Sequence, residues 1–390
     1  MKNCIYCTLL KPDEHFGSTE HLIPQFLGGD YAPDRFKTDA VCKKCNNNLG
    51  LFVDGSFAKS WFVTNWLTFA GMAAYGPTSK VGPPLMFMGI SEFELPEMTD
   101  NEVCESWLGP AGERVHLVRP RDDRLFWYAG GNPIDAKRVE TRGYFSFSEK
   151  TQMDPRRTLL AFRDSFKDWR VKKVCCADVN GFDMKSIGFS SPDEIDQRRI
   201  DYIRAKTIDQ PVSKASIPLN VQFDYRFMSK LALGVAFAHF GEPFLQSSYA
   251  EEIRKGLWFR DGDAEPNILG ASAFSRNPHI NNELFRRFVG LENAVTIHVS
   301  QVPEGAALIL NLGQSHAWTL LCATRDVIAP DFFQFPRLGL VLIIYPFLRE
   351  CFEMTLVDYI GHKLGHRINS ELASAEVRSV QGKPKLNKTD

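Results

Sequence analysis

The stretch "EHLIPQFLGG", residues 20–29, lies between two matched cysteine pairs, "CIYC" at Cys4–Cys7 and "CKKC" at Cys42–Cys45. An acid–histidine pair followed by an apolar turn and two glycines is more than a structural knot needs. The insert is therefore expected to carry chemistry. Two C-x-x-C hooks bring four thiolates within reach of one tetrahedral centre, and Zn²⁺ favours such a sulfur cage in a segment too small for a large core of its own. Cys4, Cys7, Cys42 and Cys45 are the expected ligands of a structural zinc.

The order of parts, C-x-x-C, E-H-x-I-P, G-G and C-x-x-C-N, resembles the HNH endonucleases, whose ββα-metal finger is often clipped by a four-cysteine zinc. The resemblance covers about the first 60 residues. It implies that His21 is the general base that deprotonates the attacking water, a task suited to an imidazole near its ordinary pKa. It further implies that Glu20 and Asn46, the latter directly after Cys45, hold a catalytic divalent ion, Mg²⁺ or Mn²⁺, for which hard oxygen donors are apt. The family's middle asparagine falls near Lys37 and Thr38 in this chain, and neither is asparagine. Orientation of His21 would then pass to Thr38, Asp39 or the backbone. Pro24 is expected to end the strand and Gly28–Gly29 to turn the chain back.

Asp54, eight residues beyond Asn46, is expected on a helix surface, with a supporting contact to the site as the alternative. His15 reads as a surface residue and His239, on an apolar helix, as a satisfied core histidine. His362 and His366 are spaced i, i+4 but lack the glutamate of a metalloprotease helix.

The rest of the 390-residue chain carries no motif of comparable weight. Its hydrophobic content of 44% and charged content of 24% are those of an ordinary globular protein. The expected fold class is α+β: the zinc-clipped ββα module over 1–74, an α+β middle region over 75–220, a helix plus a largely antiparallel sheet over 221–375, and a charged tail over 376–390. The first boundary is drawn at the Gly/Pro-rich Tyr75–Pro84. "RVHLV", "RLFWYAG" and "GYFSFS" read as strands of the middle region, and "PRRTLLAFRDSFKDW" as a helix. Farther on, Tyr225–Phe240 reads as a core helix, and "AVTIHVSQ", "AALILNL", "HAWTLLCAT" and "LGLVLIIY" as strands. The last of these is too short for a membrane span.

"MKNCIYC" opens with no apolar leader, so a cytoplasmic location is expected. In that reducing setting the nine cysteines would not form disulfides, and Cys104, Cys175, Cys176, Cys322 and Cys351 read as small buried residues.

A formal net charge of −1 gives no global attraction to a polyanion, so nucleic-acid contact needs a local basic surface. Residues 114–173 hold about 15 Lys/Arg against about 8 Asp/Glu. Arg119, Arg121, Arg124, Arg156 and Arg157 are the candidates there, with Lys43, Lys44 and Lys59 as those nearer the cysteine module; a solvated, salt-bridged surface is the plainer reading.

The sequence thus points to a metal-dependent DNA endonuclease, with RNA as a second substrate class. A small molecule or protein would regulate the C-terminal body, oligomerisation is open, and phage defence is the setting that analogy suggests. The competing reading is a zinc-stabilised nucleic-acid- or protein-binding module whose catalytic site has decayed.

Overall fold

The computed structural model describes all residues except 77–78, 93, 122–138, 149, 152–154, 168, 178–181, 210–214, 217–219, 261, 272–281 and 382–390. The strand expected at "RLFWYAG", Arg124 and most of the C-terminal tail lie outside the described residues. The chain divides into two compact units, one made of Met1–Ala58 with Asn220–Asp390 and the other of Lys59–Leu219.

The first unit opens with two small hairpins. Strands β1 (Lys2–Asn3) and β2 (Leu10–Lys11) flank the first cysteine hook, and β3 (Glu20–His21) pairs antiparallel with β4 (Lys37–Thr38). A helix over Lys43–Leu49 follows the second hook, which completes a ββα arrangement. That helix runs on through a π-helical turn, Gly50–Asp54, into Gly55–Ala58.

The second unit begins with a helix over Trp61–Ala73 and is built on a six-stranded sheet. Its strands are β5 (Met86–Ser91), β6 (Glu102–Leu108), β7 (Arg114–Pro120), β8 (Thr141–Ser146), β9 (Val171–Cys175) and β10 (Ala215–Ser216), in the order β10-β5-β6-β7-β8-β9. All pairings are antiparallel except β8 with β9. Phe145, Phe162 and Phe189 cluster edge-on over one face, beside the Pro155–Asp164 helix that carries Phe162.

The chain re-enters the first unit at a long helix, Val221–Leu245, capped by the Asn220 side chain, which accepts from the Gln222 amide. Its apolar positions fall nearly all round, and Phe227 through Ala236 are buried accordingly. It kinks at Gly241, where φ is 65°. A second six-stranded sheet follows, entirely antiparallel, in the order β11-β14-β13-β12-β15-β16. Its strands are β11 (Gly270–Ala271), β12 (Val295–Val302), β13 (Gly305–Leu312), β14 (His316–Thr324), β15 (Gly339–Tyr345) and β16 (Glu350–Thr355). The four apolar runs expected as strands are β12 to β15, and β15 is buried throughout because it lies inside the sheet. Among the described residues no helix is long and apolar enough to cross a membrane.

Two close approaches fix the EHLIP segment on this frame. A Cβ on Gly234 of the long helix would lie 2.9 Å from the Leu22 Cβ, so only glycine lets the helix backbone approach Leu22 there. Gly28, at φ 87°, caps the short 3₁₀ turn after Pro24, and a Cβ on it would meet the Ile344 side chain of β15 at 2.6 Å. The first glycine of the G-G pair thus serves a turn and a packing contact together.

Candidate active site

The first hook closes by a tight turn in which the Thr8 amide donates to the Cys4 carbonyl at 2.8 Å. The second stands at the start of the Lys43–Leu49 helix, with Cys42 at its N-terminal cap and Cys45 in its first turn. Hook and helix start together bring the Sγ atoms of Cys4, Cys7, Cys42 and Cys45 within 4.8 Å of one another. That span fits a tetrahedral Zn²⁺ with Zn–S bonds of about 2.3 Å. Hydrogen bonding to Cys4, and burial, push the Cys45 thiol well above its ordinary pKa, as expected for crowded sulfurs considered without a cation. Lys11 Nζ donates to Cys42 Sγ at 3.0 Å and the Cys42 amide to Cys4 Sγ at 3.4 Å, contacts that favour thiolate character.

β3 carries the acid–histidine pair. Adjacent strand residues point to opposite faces, and Glu20 and His21 accordingly take different partners. Glu20 is 3% exposed. Its Oε1 accepts from Tyr6 Oη at 3.4 Å and pairs with Lys230 Nζ at 2.8 Å. Lys230, on the long helix, also pairs with Asp54 Oδ2. Burial alone would lower the Lys230 pKa, but Asp54 and Glu20 overcome that and hold it above the ordinary value. One ammonium serves two carboxylates, and burial pushes Asp54 up to about 6 against the pull of Lys230. Asp54 is thus in the interior cluster, not on the helix surface where it was expected. Two turns of α-helix take about 7.2 residues, and the wider π turn at Gly50–Asp54 absorbs the surplus between Asn46 and Asp54.

The His21 ring lies on the other side, with Nε2 3.0 Å from Asp30 Oδ1, and Gln25 Nε2 donates to the same oxygen at 3.1 Å. Asp30 therefore stands where Thr38 or Asp39 had been expected. Thr38 Oγ1 instead accepts from the Ala40 amide, and Asp39 is paired with Lys2 Nζ at 2.6 Å. Asn46 Nδ2 donates to Ser18 Oγ at 3.0 Å and to the Thr19 carbonyl at 3.4 Å, which ties the helix to the residues just before Glu20.

Residues 4–62 match the HNH endonuclease family. The match spans both cysteine hooks, the EHLIP segment and Asn46. Comparison of the chain with curated proteins and with solved structures finds no match. Lys230 lies outside the HNH segment, in a helix that the chain reaches only after the whole second unit, so no local pattern could have pointed to it.

The oxygen donors around the HNH helix fit a hard divalent cation. Asp54 Oδ1 is buried with no hydrogen-bond partner among the described residues, and two carboxylates against one ammonium leave surplus negative charge. Glu20 could contribute only through Oε2, since Lys230 and Tyr6 hold Oε1.

The basic candidates divide. Lys43 and Lys44 are exposed in the first turn of the HNH helix, and Lys43 Nζ donates to the Glu14 carbonyl at 3.1 Å. In the second unit, Arg156 is exposed but donates to Tyr75 Oη at 2.9 Å and to the Ser79 carbonyl at 2.5 Å, while Arg157 is half-buried. Arg119 is 1% exposed and paired with Glu105 at 2.5 Å, which removes it as a phosphate contact. Arg142 and Lys172 are held by Asp193 and Asp196, and Lys173 by three backbone carbonyls. Much of that basic excess is therefore internal salt-bridging. Lys59 also corrects an expectation: its ammonium lies 4.3 Å from the Trp169 ring centroid, and burial pushes it down to about 7.

Among the other histidines, His15 is exposed, and His362 is buried with Nε2 3.0 Å from Glu376 while His366 is exposed. His239 differs from expectation, because its Nε2 is buried without a hydrogen-bond partner. Cys104, Cys176 and Cys322 are buried, and Cys175 and Cys351 half-buried.

Proposed function

We propose that the protein is a metal-dependent endonuclease that hydrolyses phosphodiester bonds in DNA, with His21 as general base. The observation that carries this reading is the HNH match over residues 4–62 on a ββα frame whose four cysteines converge. His21 Nε2, facing Asp30, would donate its proton to the carboxylate and leave Nδ1 to accept one from water. Asp30 fixes the ring and stabilises the imidazolium that forms. Glu20, Asn46 and Asp54 are the residues that would hold a Mg²⁺ or Mn²⁺ ion, which when bound would neutralise the scissile phosphate and the departing oxygen. Lys230 holds the Glu20 carboxylate in one orientation. The zinc, tied to the helix start through Cys42 and Cys45, fixes Asn46 relative to β3. We place control of cutting in the residues outside the HNH segment.

The deciding experiment is nicking of supercoiled plasmid by the full chain with added Mg²⁺ or Mn²⁺, compared with His21→Ala. Divalent-dependent nicking lost in the variant supports the reading. No nicking of DNA or RNA by zinc-loaded wild type, with nucleic-acid binding retained, would assign the protein to the binding-module class instead.

A further inference from the structure

A cavity of about 670 Å³ lies in the first unit, bounded by the segment before β4, the long helix, β15–β16 and the helix after them. Its volume is within the range of small-molecule sites. Arg35, Arg337 and Arg367 bring three guanidinium groups to it. Arg35 is paired with Glu353, and Arg367 with Asp358 at 2.7 Å. No ion pair engages Arg337 among the described residues, so the lining carries one positive charge in excess. Phe332, Leu340 and Met354 supply an apolar wall, each under 10% exposed. His239 also lines the cavity, and its unpartnered Nε2 is a polar group that the fold leaves unmet. Burial, then the nearby Arg35 and Arg337, push this imidazole down to about 4, so it is neutral near pH 7 and able to donate or accept a hydrogen bond.

We propose that this cavity binds a small phosphorylated molecule with an aromatic body, of the nucleoside monophosphate class, and that its occupancy is felt at the EHLIP hairpin. Guanidinium groups recognise phosphate by paired hydrogen bonds. The neutral imidazole and the apolar wall suit a heteroaromatic ring rather than a second phosphate. The link to the hairpin is short. Arg35 directly precedes Phe36, whose ring meets His239 edge-on at 5.6 Å and whose carbonyl accepts from the Leu22 amide at 2.8 Å. A ligand that draws Arg35 from Glu353 therefore acts on the residue that pairs with the strand beside His21. The regulatory half of this inference rests on the nuclease reading; the binding half does not.

The test is calorimetric titration of the zinc-loaded full chain, without added Mg²⁺ or Mn²⁺, using AMP, inorganic pyrophosphate and a short DNA duplex as probes. Saturable binding of AMP is expected, weakened at least tenfold in Arg337→Glu and less in Arg337→Lys, with unfolding midpoints close to wild type. Absence of saturable AMP binding, or equal binding by Arg337→Glu, overturns the proposal. So does loss of duplex binding alone in Arg337→Glu, which would assign the guanidinium groups to a nucleic-acid backbone. Plasmid nicking with and without AMP reads the regulatory half: a changed rate in wild type but not in Arg337→Glu supports it, and an unchanged rate overturns it. AMP binding by a protein that nicks nothing would uphold the site while rejecting the nuclease reading.

Discussion

Lys230 Nζ lies 2.8 Å from Glu20 Oε1, and both side chains are almost wholly buried. An ion pair out of water is held by its mutual attraction, and removing one member leaves an uncompensated charge that costs about 3–5 kcal/mol. Lys230→Met should therefore lower the unfolding free energy by about that amount. A triple change, Lys230→Met with Glu20→Gln and Asp54→Asn, should recover much of the loss, because no lone charge remains. Urea denaturation of the variants checks both statements, and a single variant as stable as wild type would refute the buried cluster.

The four-cysteine centre predicts about one Zn²⁺ per chain, since metal binding supplies folding free energy to such a module. Cys42→Ser should lose the metal and unfold the segment around it. Cys104→Ala should keep its zinc, because Cys104 is buried in the other unit, away from the cluster. Elemental analysis of purified, folded protein decides this.

How much of this was legible beforehand depends on distance along the chain. The cysteine hooks, the β3–β4 hairpin and the helix carrying Asn46 lie within one continuous segment, and their spacing alone pointed to a ββα frame. The apolar strands of the C-terminal sheet were legible for the same local reason. Lys230 was not, because a lysine on an apolar helix has no local signal that its partners are two acids some 176 and 210 residues earlier. Asp54 was misread since α-helical geometry, without the π turn, turns it away from Asn46. Asp30 was passed over because it reaches His21 through a 3₁₀ turn rather than a strand pairing. The basic excess over residues 114–173 misled for another reason: charge counts do not register that Asp193 and Asp196, outside the counted window, neutralise Arg142 and Lys172.

His21→Ala should lower the rate of cleavage by roughly 10² to 10⁴, the usual contribution of a general base, with zinc content unchanged. Asp30→Asn should retain the fold and give a smaller loss, because the ring keeps a hydrogen-bonding neighbour but loses the charge that stabilises its protonated form. Equal losses in the two variants would mean that Asp30 takes part in proton transfer itself.

The pH dependence of stability has a definite sign. Burial pushes His116, His239, His298 and His316 down to about 4 from 6.5. The unfolded chain therefore binds more protons than the folded one between those values. Stability from these groups is complete above about pH 6.5 and is lost as pH falls toward about 4. Thermal melts across that window should show a falling midpoint, and a flat profile would show that the imidazoles are not held neutral.

The last prediction separates two candidate surfaces for a polyanion. Lys43 and Lys44 project from the first turn of the helix that holds Asn46, where the helix dipole adds to their positive charge. Arg156 is already engaged with Tyr75 and Ser79, so a phosphate would have to compete for its guanidinium. Each phosphate neutralised on duplex DNA contributes roughly −0.9 to the slope of log affinity against log salt. Charge reversal at Lys43 and Lys44 should therefore weaken binding and flatten that slope by roughly 1 to 2. Reversal at Arg156 and Arg157 should change the slope less while lowering the melting temperature, since it breaks contacts within the second unit. Fluorescence anisotropy with a labelled duplex at several salt concentrations measures both slopes. A larger flattening from the arginine pair would move the principal contact surface to the second unit and leave the lysines as solvated helix residues.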